Sequence, residues 1–370
     1  MMILFLLGSS LVTGGSMIAK QDSWICILLS TFMAVPLVSI YAGLYKAAPG
    51  QDIFDMAYSA FGKIVGPIVT ALFSLYTLHL GALVIRNFSE YFQVVSIPET
   101  PQAVTAICIG GIALYNILKG IETPARGAVF IMPITLAVIM FLNALSIKYM
   151  DFNNLKPILN QDFGTILHGA YSVFVFPFGE VVLFVTVFAA VETKTKPSKL
   201  YITAVIFAGV LLSLLIVVAI MMIGFPFVAS IYFPSYISAG IIDIGNFISR
   251  IEVLVSGNYI IFGVIKVSVC LYVSCKGISK LFGIKNHKKT AAPIAAVMVI
   301  ISILVYENTM QMFSFLKIYE IYAPFFQIVI PFALLIALNR KNKKKQLPVS
   351  AETPALEPQA NVPLPDSDAS

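Results

Sequence analysis

Charge is scarce in this sequence. Lys, Arg, Asp and Glu make up 11% of its 370 residues, whereas a water-facing domain ordinarily carries about 25%. That scarcity excludes an ordinary soluble protein. Histidine is rarer, at three residues, and cysteine numbers four. His168 and His287 fall in or beside loops and have no second ligand at zinc spacing, so no metal site is expected. Cys26, Cys108, Cys270 and Cys275 all lie in apolar segments without disulfide or ligand spacing, and read as small packing groups. Also missing are a P-loop, a GxGxxG followed by an acid, and any nucleophile with a His and carboxylate partner. No enzyme and no cofactor is expected.

What fills the chain instead is hydrocarbon. Apolar residues make up 59% of it, and the mean hydropathy is +0.91. Runs of 18 or more apolar residues recur, each long enough to cross about 30 Å of lipid. Period-2 alternation is absent, which leaves helices rather than a barrel. The expected fold class is an all-α membrane protein with ten transmembrane helices. The spans run 2–19, 24–45, 65–95, 102–119, 126–147, 167–191, 200–224, 253–275, 291–307 and 318–338. Residues 50–64 and 151–166 have mixed polarity and are expected to lie along the membrane faces. "MMILFLLGSS" also reads as a signal-peptide core, but it lacks a basic leader and is taken as the first span.

The charges that exist are unevenly placed. Of the 24 Lys and Arg, Arg86 and Lys266 lie within spans; Lys20, Lys148, Lys156, Arg250 and Lys317 fall in one set of loops; the other 17 fall in the opposite set. The positive-inside rule then puts both termini in the cytoplasm. The net charge of +6 is this bias, not a nucleic-acid signal. Arg340–Lys345 sits beside the last span, where it can meet anionic headgroups. Residues 346–370, rich in Pro, Ala and Ser, are expected to be disordered. The domain reading is a permease-like unit over 1–338, as repeats 1–147 and 167–338, followed by a tail, 339–370.

Two spans look broken. The first carries Gly8, Ser9 and Ser10, then Gly14 and Gly15; the sixth carries Phe176, Pro177, Phe178 and Gly179. Each opens one set of five helices. Breaks at matching positions of two halves mark a 5+5 inverted repeat with a ligand site at mid-membrane. Pro177 removes a donor and Gly179 permits irregular backbone. Main-chain groups unpaired in lipid cost several kcal/mol each unless something polar meets them. A Pro kink satisfied by neighbouring helices is the plainer alternative.

Charges within spans need partners. Arg86 and Glu90 can pair at i,i+4 on span three, with His79 and Leu83 on the same face. Glu180 follows the span-six break, and Lys266 lies near the middle of span eight. These two either pair, or each meets a zwitterionic ligand, or lose charge. A small zwitterion fits: N–H groups around Ser9 and Ser10 suit a carboxylate, while free carbonyls at the span-six break beside Glu180 suit an ammonium. Phe176, Phe178, Tyr76 and Leu83 would give side-chain room.

Several segments, in order, carry a resemblance: "QDSW" 21–24, "PETP" 98–101, "KGIE" 119–122, "DFNNLKPIL" 151–159, "FPFGEVVLF" 176–184, "IGNFISRIEVL" 244–254 and "IKVSVCLY" 265–272. Over about residues 20–340 the chain resembles the GerAB-type endospore germination permeases, B subunits of nutrient germinant receptors within the amino acid–polyamine–organocation superfamily. The resemblance implies a ten-helix transporter-like fold with broken helices 1 and 6, resident in the spore inner membrane. It implies a small germinant, commonly an amino acid, and work alongside A-type and C-type receptor subunits. The implied site lies between helices one, three, six and eight, at Gly8–Ser10, His79 and Leu83, residues 176–180, and Lys266. Arg86, Glu90, Arg250 and Glu252 are expected as structural or gating charges. A proton-coupled amino acid transporter and an ion or water channel stay open as alternatives.

Overall fold

Runs that cannot meet water close their own backbone hydrogen bonds, and the chain does so nearly everywhere. The computed structural model describes residues 1–8, 16–190, 196–243 and 250–346, and among these it is helical with no strand. Nine of the helices among these residues are long and apolar enough to cross a membrane: Met17–Ala47, Ile53–Ser96, Gln102–Lys119, Glu122–Tyr149, Phe163–Ala189, Pro197–Ile223, Glu252–Leu281, His287–Leu304 and Thr309–Lys343. They coincide with expected spans two to ten. Of the first span, Met2–Leu7 is helical. Ser9, Ser10, Gly14 and Gly15 lie outside the described residues.

The elements that position the interior are α1 (Met2–Leu7), α2 (Ser23–Ala47), α3 (Ile53–Tyr91), α4 (Gln102–Lys119), α5 (Glu122–Ser146), α6 (Phe163–Val175), α7 (Phe184–Ala189) and α8 (Pro197–Ile223). After two short helices, α9 (Phe225–Ser230) and α10 (Pro234–Gly240), come α11 (Glu252–Leu281), α12 (Ala291–Leu304), α13 (Thr309–Pro324) and α14 (Ile330–Gln346). Span six is therefore α6, an irregular turn and α7, and span ten is α13, a π turn over Phe325–Val329 and α14. Within span six's most apolar window 83% of residues are buried, against 22% in span five. The broken span is at the centre and span five at the periphery. Outside, Phe32, Phe130, Ile134 and Ile321 project outward, an apolar exterior suited to hydrocarbon.

The principal seam joins α3 to α11. It closes because glycines meet bulk: a Cβ on Gly263 would stand 2.8 Å from the Phe88 ring, and one on Gly277 would overlap Ser74 Oγ. Small residues let membrane helices approach and gain dispersion contact where the hydrophobic effect gives none. Thr77 and Ser274 add a hydroxyl–hydroxyl bond of 2.9 Å across the seam.

Residues 50–64 and 151–166 do form short pieces. Asp52 caps α3 by accepting from Phe54 N at 3.0 Å and Asp55 N at 2.9 Å. Gly62, at φ 75, then breaks the helix after its second turn. The 151–166 loop is held by Asp22, fully buried, which accepts from the N–H groups of Leu159 (2.8 Å), Asn160 (3.0 Å) and Gln161 (3.3 Å). Gln21 Nε2 donates to Pro157 O at 2.9 Å. The "QDSW" and "DFNNLKPIL" segments are thus two halves of one joint.

Candidate functional site

α6 ends where it does because Pro177 has no N–H to continue the ladder. Phe176 is extended (φ −132°, ψ 106°), and the backbone then tightens over Phe178–Leu183 before α7 resumes. The break strands the carbonyl of Val175. Gln327, on the span-ten π turn, donates to it from Nε2 at 3.1 Å. Span ten has a stranded carbonyl of its own, since Pro331 cannot donate back to residue 327. Tyr41 of α2 donates there at 2.7 Å, and its hydroxyl is also 3.2 Å from Gly179 O.

Glu180 is fully buried and sits 2.7 Å from Lys266 Nζ of α11, itself 1% exposed. Of the three options open in the sequence, the geometry is that of a buried pair. The lysine also lies 4.6 Å from the Phe176 ring centroid and 5.1 Å from that of Phe5, within cation–π range. Tyr319 donates to Glu180 Oε1 at 2.9 Å. With that proton committed, Tyr76 donates to Tyr319 at 3.0 Å, and Gln327 Nε2 donates to Tyr76 at 3.0 Å. Every donor in the chain Gln327, Tyr76, Tyr319 points toward the carboxylate.

Gly8 closes α1 against this group. A Cβ there would stand 3.3 Å from Phe262 Cβ and 3.6 Å from Lys266 Cδ. Gly8, Tyr76, Phe176, Pro177, Gly179, Glu180 and Lys266 therefore come together, while Ser9 and Ser10 lie outside the described residues. The ammonium place beside Glu180 is taken by Lys266, and the Val175 carbonyl by Gln327. In this conformation neither is open to a guest.

Next to this network is a small cavity, about 20 Å³, lined by Leu80, Leu83, Asn87, Phe176, Tyr306 and Tyr319 among others. That is room for about one water molecule. Phe176 and Tyr319, edge to face at 5.9 Å, line it and also touch the buried pair, Phe176 at Lys266 and Tyr319 at Glu180. Leu83 lines the cavity, whereas Tyr76 and Phe178 are buried and do not line it. His79 is on the same helix face but meets Tyr322 Oη at 3.0 Å through Nδ1 and does not line the cavity.

Arg86 and Glu90 pair at 3.1 Å, both nearly buried. Glu90 also accepts from Gln102 Nε2 at 2.7 Å and from Thr309 Oγ1, and Arg86 donates to Ile303 O at 3.3 Å. This cluster ties α3 to α4, α12 and α13. Arg250 and Glu252 approach to 3.6 Å with Arg250 69% exposed, a surface contact that holds little.

Sequence reasoning missed Tyr319, Gln327 and Tyr41. Gln327 had one signal, an amide inside "FFQIVIPF" four residues before a proline. The tyrosines had none, being indistinguishable from ordinary aromatic packing until their hydroxyls are placed.

Comparison with known proteins gives one consistent answer. The family described as "Spore germination protein" matches residues 1–311. Spore germination protein KB of Bacillus subtilis (strain 168) is 29% identical over 356 residues, covering 94% of each chain. Spore germination protein XB of Bacillus anthracis is 23% identical over 257 residues, 68% of this chain and 70% of that one. Among solved structures, Mhp1, a nucleobase-cation-symport-1 family transporter in a closed conformation with bromovinylhydantoin bound, superposes with a TM-score of 0.61 at 14% identity, over 86% of this chain and 73% of that one. MhsT in complex with L-phenylalanine gives 0.58 at 14% identity, over 91% of this chain and 97% of that one. At that identity the two structures establish the fold: a broken-helix transporter architecture.

Proposed function

The chain belongs to the spore germination protein family, a multi-pass membrane family, and on that premise we propose that it is the permease-like membrane subunit of a nutrient germinant receptor. It binds a small germinant, an amino acid by class, between the span-six break, α3, α11 and α13. It passes the resulting shift to A-type and C-type partner subunits. The carrying observation is the fully buried Glu180–Lys266 pair at a broken helix, touched by Phe176 and Tyr319, which also line a cavity. An amino acid brings both charges that this pair already balances. Its ammonium competes with Lys266 for Glu180, and its carboxylate gives Lys266 a new partner. The cavity's present size makes this the closed state, so binding requires Phe176 and Tyr319 to part. A ligand drives such a change only through its difference in affinity for the two states. The repeats are assigned to 1–147 and 167–338 and the tail to 339–370. The bias of Lys and Arg supports a cytoplasmic position for both termini, and the family supports residence in the spore inner membrane.

The test is direct binding to purified protein, read as thermal stabilisation across the twenty amino acids, with Leu83→Trp filling the cavity and Leu75→Trp, on the lipid-facing surface, as control. At least one amino acid should stabilise the parent and the control but not Leu83→Trp. No response to any amino acid, or an unchanged response in Leu83→Trp, overturns the site. The transporter fold favours a second reading, proton-coupled amino acid transport. Accumulation of labelled amino acid in liposomes under a proton gradient selects it; binding without flux selects the receptor subunit.

A further inference from the structure

Away from the broken helices, a second concave site lies on the face that carries most of the Lys and Arg. It spans about 500 Å³ between the α4–α5 turn, the last turns of α11 and the 3-10 turn that leads into α12, and is lined by Lys119, Arg126, Tyr272, Lys276, His287 and Lys288 among others. Its charges are partly matched. Arg126 pairs with Glu122 at 2.9 Å, and Lys276, one-third exposed, is 3.8 Å from Asp52. Among the described residues no carboxylate lies within ion-pair distance of Lys119 or Lys288. The α4–α5 turn, α11 and the turn before α12 thus bring four cations to one bowl, with Glu122 the single acid among its described lining residues. Cations converging on a concavity raise its potential and concentrate anions there.

The walls are also built rather than loose. Lys276 Nζ lies 5.9 Å from the Tyr272 ring and Lys119 Nζ lies 5.7 Å from the Tyr115 ring. His287 meets Tyr272 edge to face at 5.4 Å. Tyr272 is itself part of the lining, so its contact brings the Lys276 ammonium to the bowl; Tyr115 lies outside the lining. Lys276 is five residues from the end of α11, a helix long and apolar enough to cross a membrane.

We propose that this bowl is a binding site for a phosphate-bearing anion, held by Lys119, Lys276 and Lys288. A phosphodiester presents several acceptor oxygens to converging ammonium donors, and basic pockets between transmembrane helices at the basic face take anionic headgroups by this chemistry. The same chemistry accepts an anionic lipid headgroup or a free phosphate.

The experiment uses the full chain in phosphatidylcholine nanodiscs. Binding is read as thermal stabilisation and as lipid retained in native mass spectra. The probes are phosphatidylglycerol at increasing fraction and, separately, sodium phosphate against sodium chloride at equal ionic strength. Lys276→Gln with Lys288→Gln is compared with Lys46→Gln with Lys63→Gln, which removes the same charge from the same face outside the bowl. The bowl double should lose about thirty-fold in apparent affinity, ~2 kcal/mol at 1.4 kcal/mol per tenfold, and the control less than about twofold. Lys276→Arg with Lys288→Arg should bind like the parent, which keeps the test open if the Gln pair fails to fold. Stabilisation by phosphatidylglycerol alone assigns a headgroup, and stabilisation by phosphate too assigns a free anion. Equal loss in both Gln doubles, or no response of the parent to either probe, overturns the proposal.

Discussion

Replacing Glu180 by Gln leaves an ammonium buried in the protein's centre with its counter-charge removed. Lys266 is 1% exposed and its Nζ lies 2.7 Å from the Glu180 carboxylate, so water cannot take the lost partner's place. Breaking a buried pair from one side costs about 3–5 kcal/mol, because the remaining charge keeps its full desolvation penalty. Lys266→Met leaves the mirror problem, a carboxylate supported by the Tyr319 hydroxyl. The double substitution removes both charges, and its Gln still accepts from Tyr319. It should therefore be no less stable than either single. Reversible unfolding in mixed micelles on the four proteins gives a double-mutant cycle, with an expected coupling of about 3 kcal/mol or more. If a single is too unstable to purify, recovery of membrane abundance in the double reports the same coupling. Losses below about 1 kcal/mol in both singles, or a double equal to their sum, would refute the reasoning, since those are the values of a solvated pair.

Two further outcomes follow from the same geometry. In Gly179→Ala the new Cβ would overlap Gln327 Oε1, displacing an amide that donates to Tyr76, Val175 and Tyr319. We expect a loss of about 1–3 kcal/mol, and Gly179→Ala with Gln327→Ala should be no less stable than Gln327→Ala alone; additive losses would count against the contact. Asp22→Ala strands the amides of residues 159–161, and hydrogen exchange there should accelerate at least about tenfold without matching change in α11; unchanged protection would dismiss the joint.

How much of this is legible in the sequence depends on whether the signal is local. Spans two to ten are readable because each is a continuous apolar run whose alternatives are excluded by backbone satisfaction. The break at Pro177 is readable because proline's missing donor acts within one turn. The Arg86–Glu90 pair follows from i,i+4 spacing alone. The Glu180–Lys266 pair was only one option of three, because its members lie on different spans and nothing local fixes their approach. Gln327 and Tyr319 were invisible for a related reason. Their role exists only where span ten's π turn meets span six's break, and neither segment encodes the other's register. A broken helix needs a partner for its bared carbonyl; the chain meets that need internally, at Val175, with the side-chain amide of Gln327 brought over from span ten.

Tyr41 stands where two interrupted helices would each bare a carbonyl. One phenol on α2 serves Gln327 O and lies within reach of Gly179 O, so the two interruptions share a single pin. Straightening either helix, or turning one against the other, unseats that pin from both. A movement of one interrupted span would thereby be felt by the other at the level of main chain, through a side chain that lines no cavity described above.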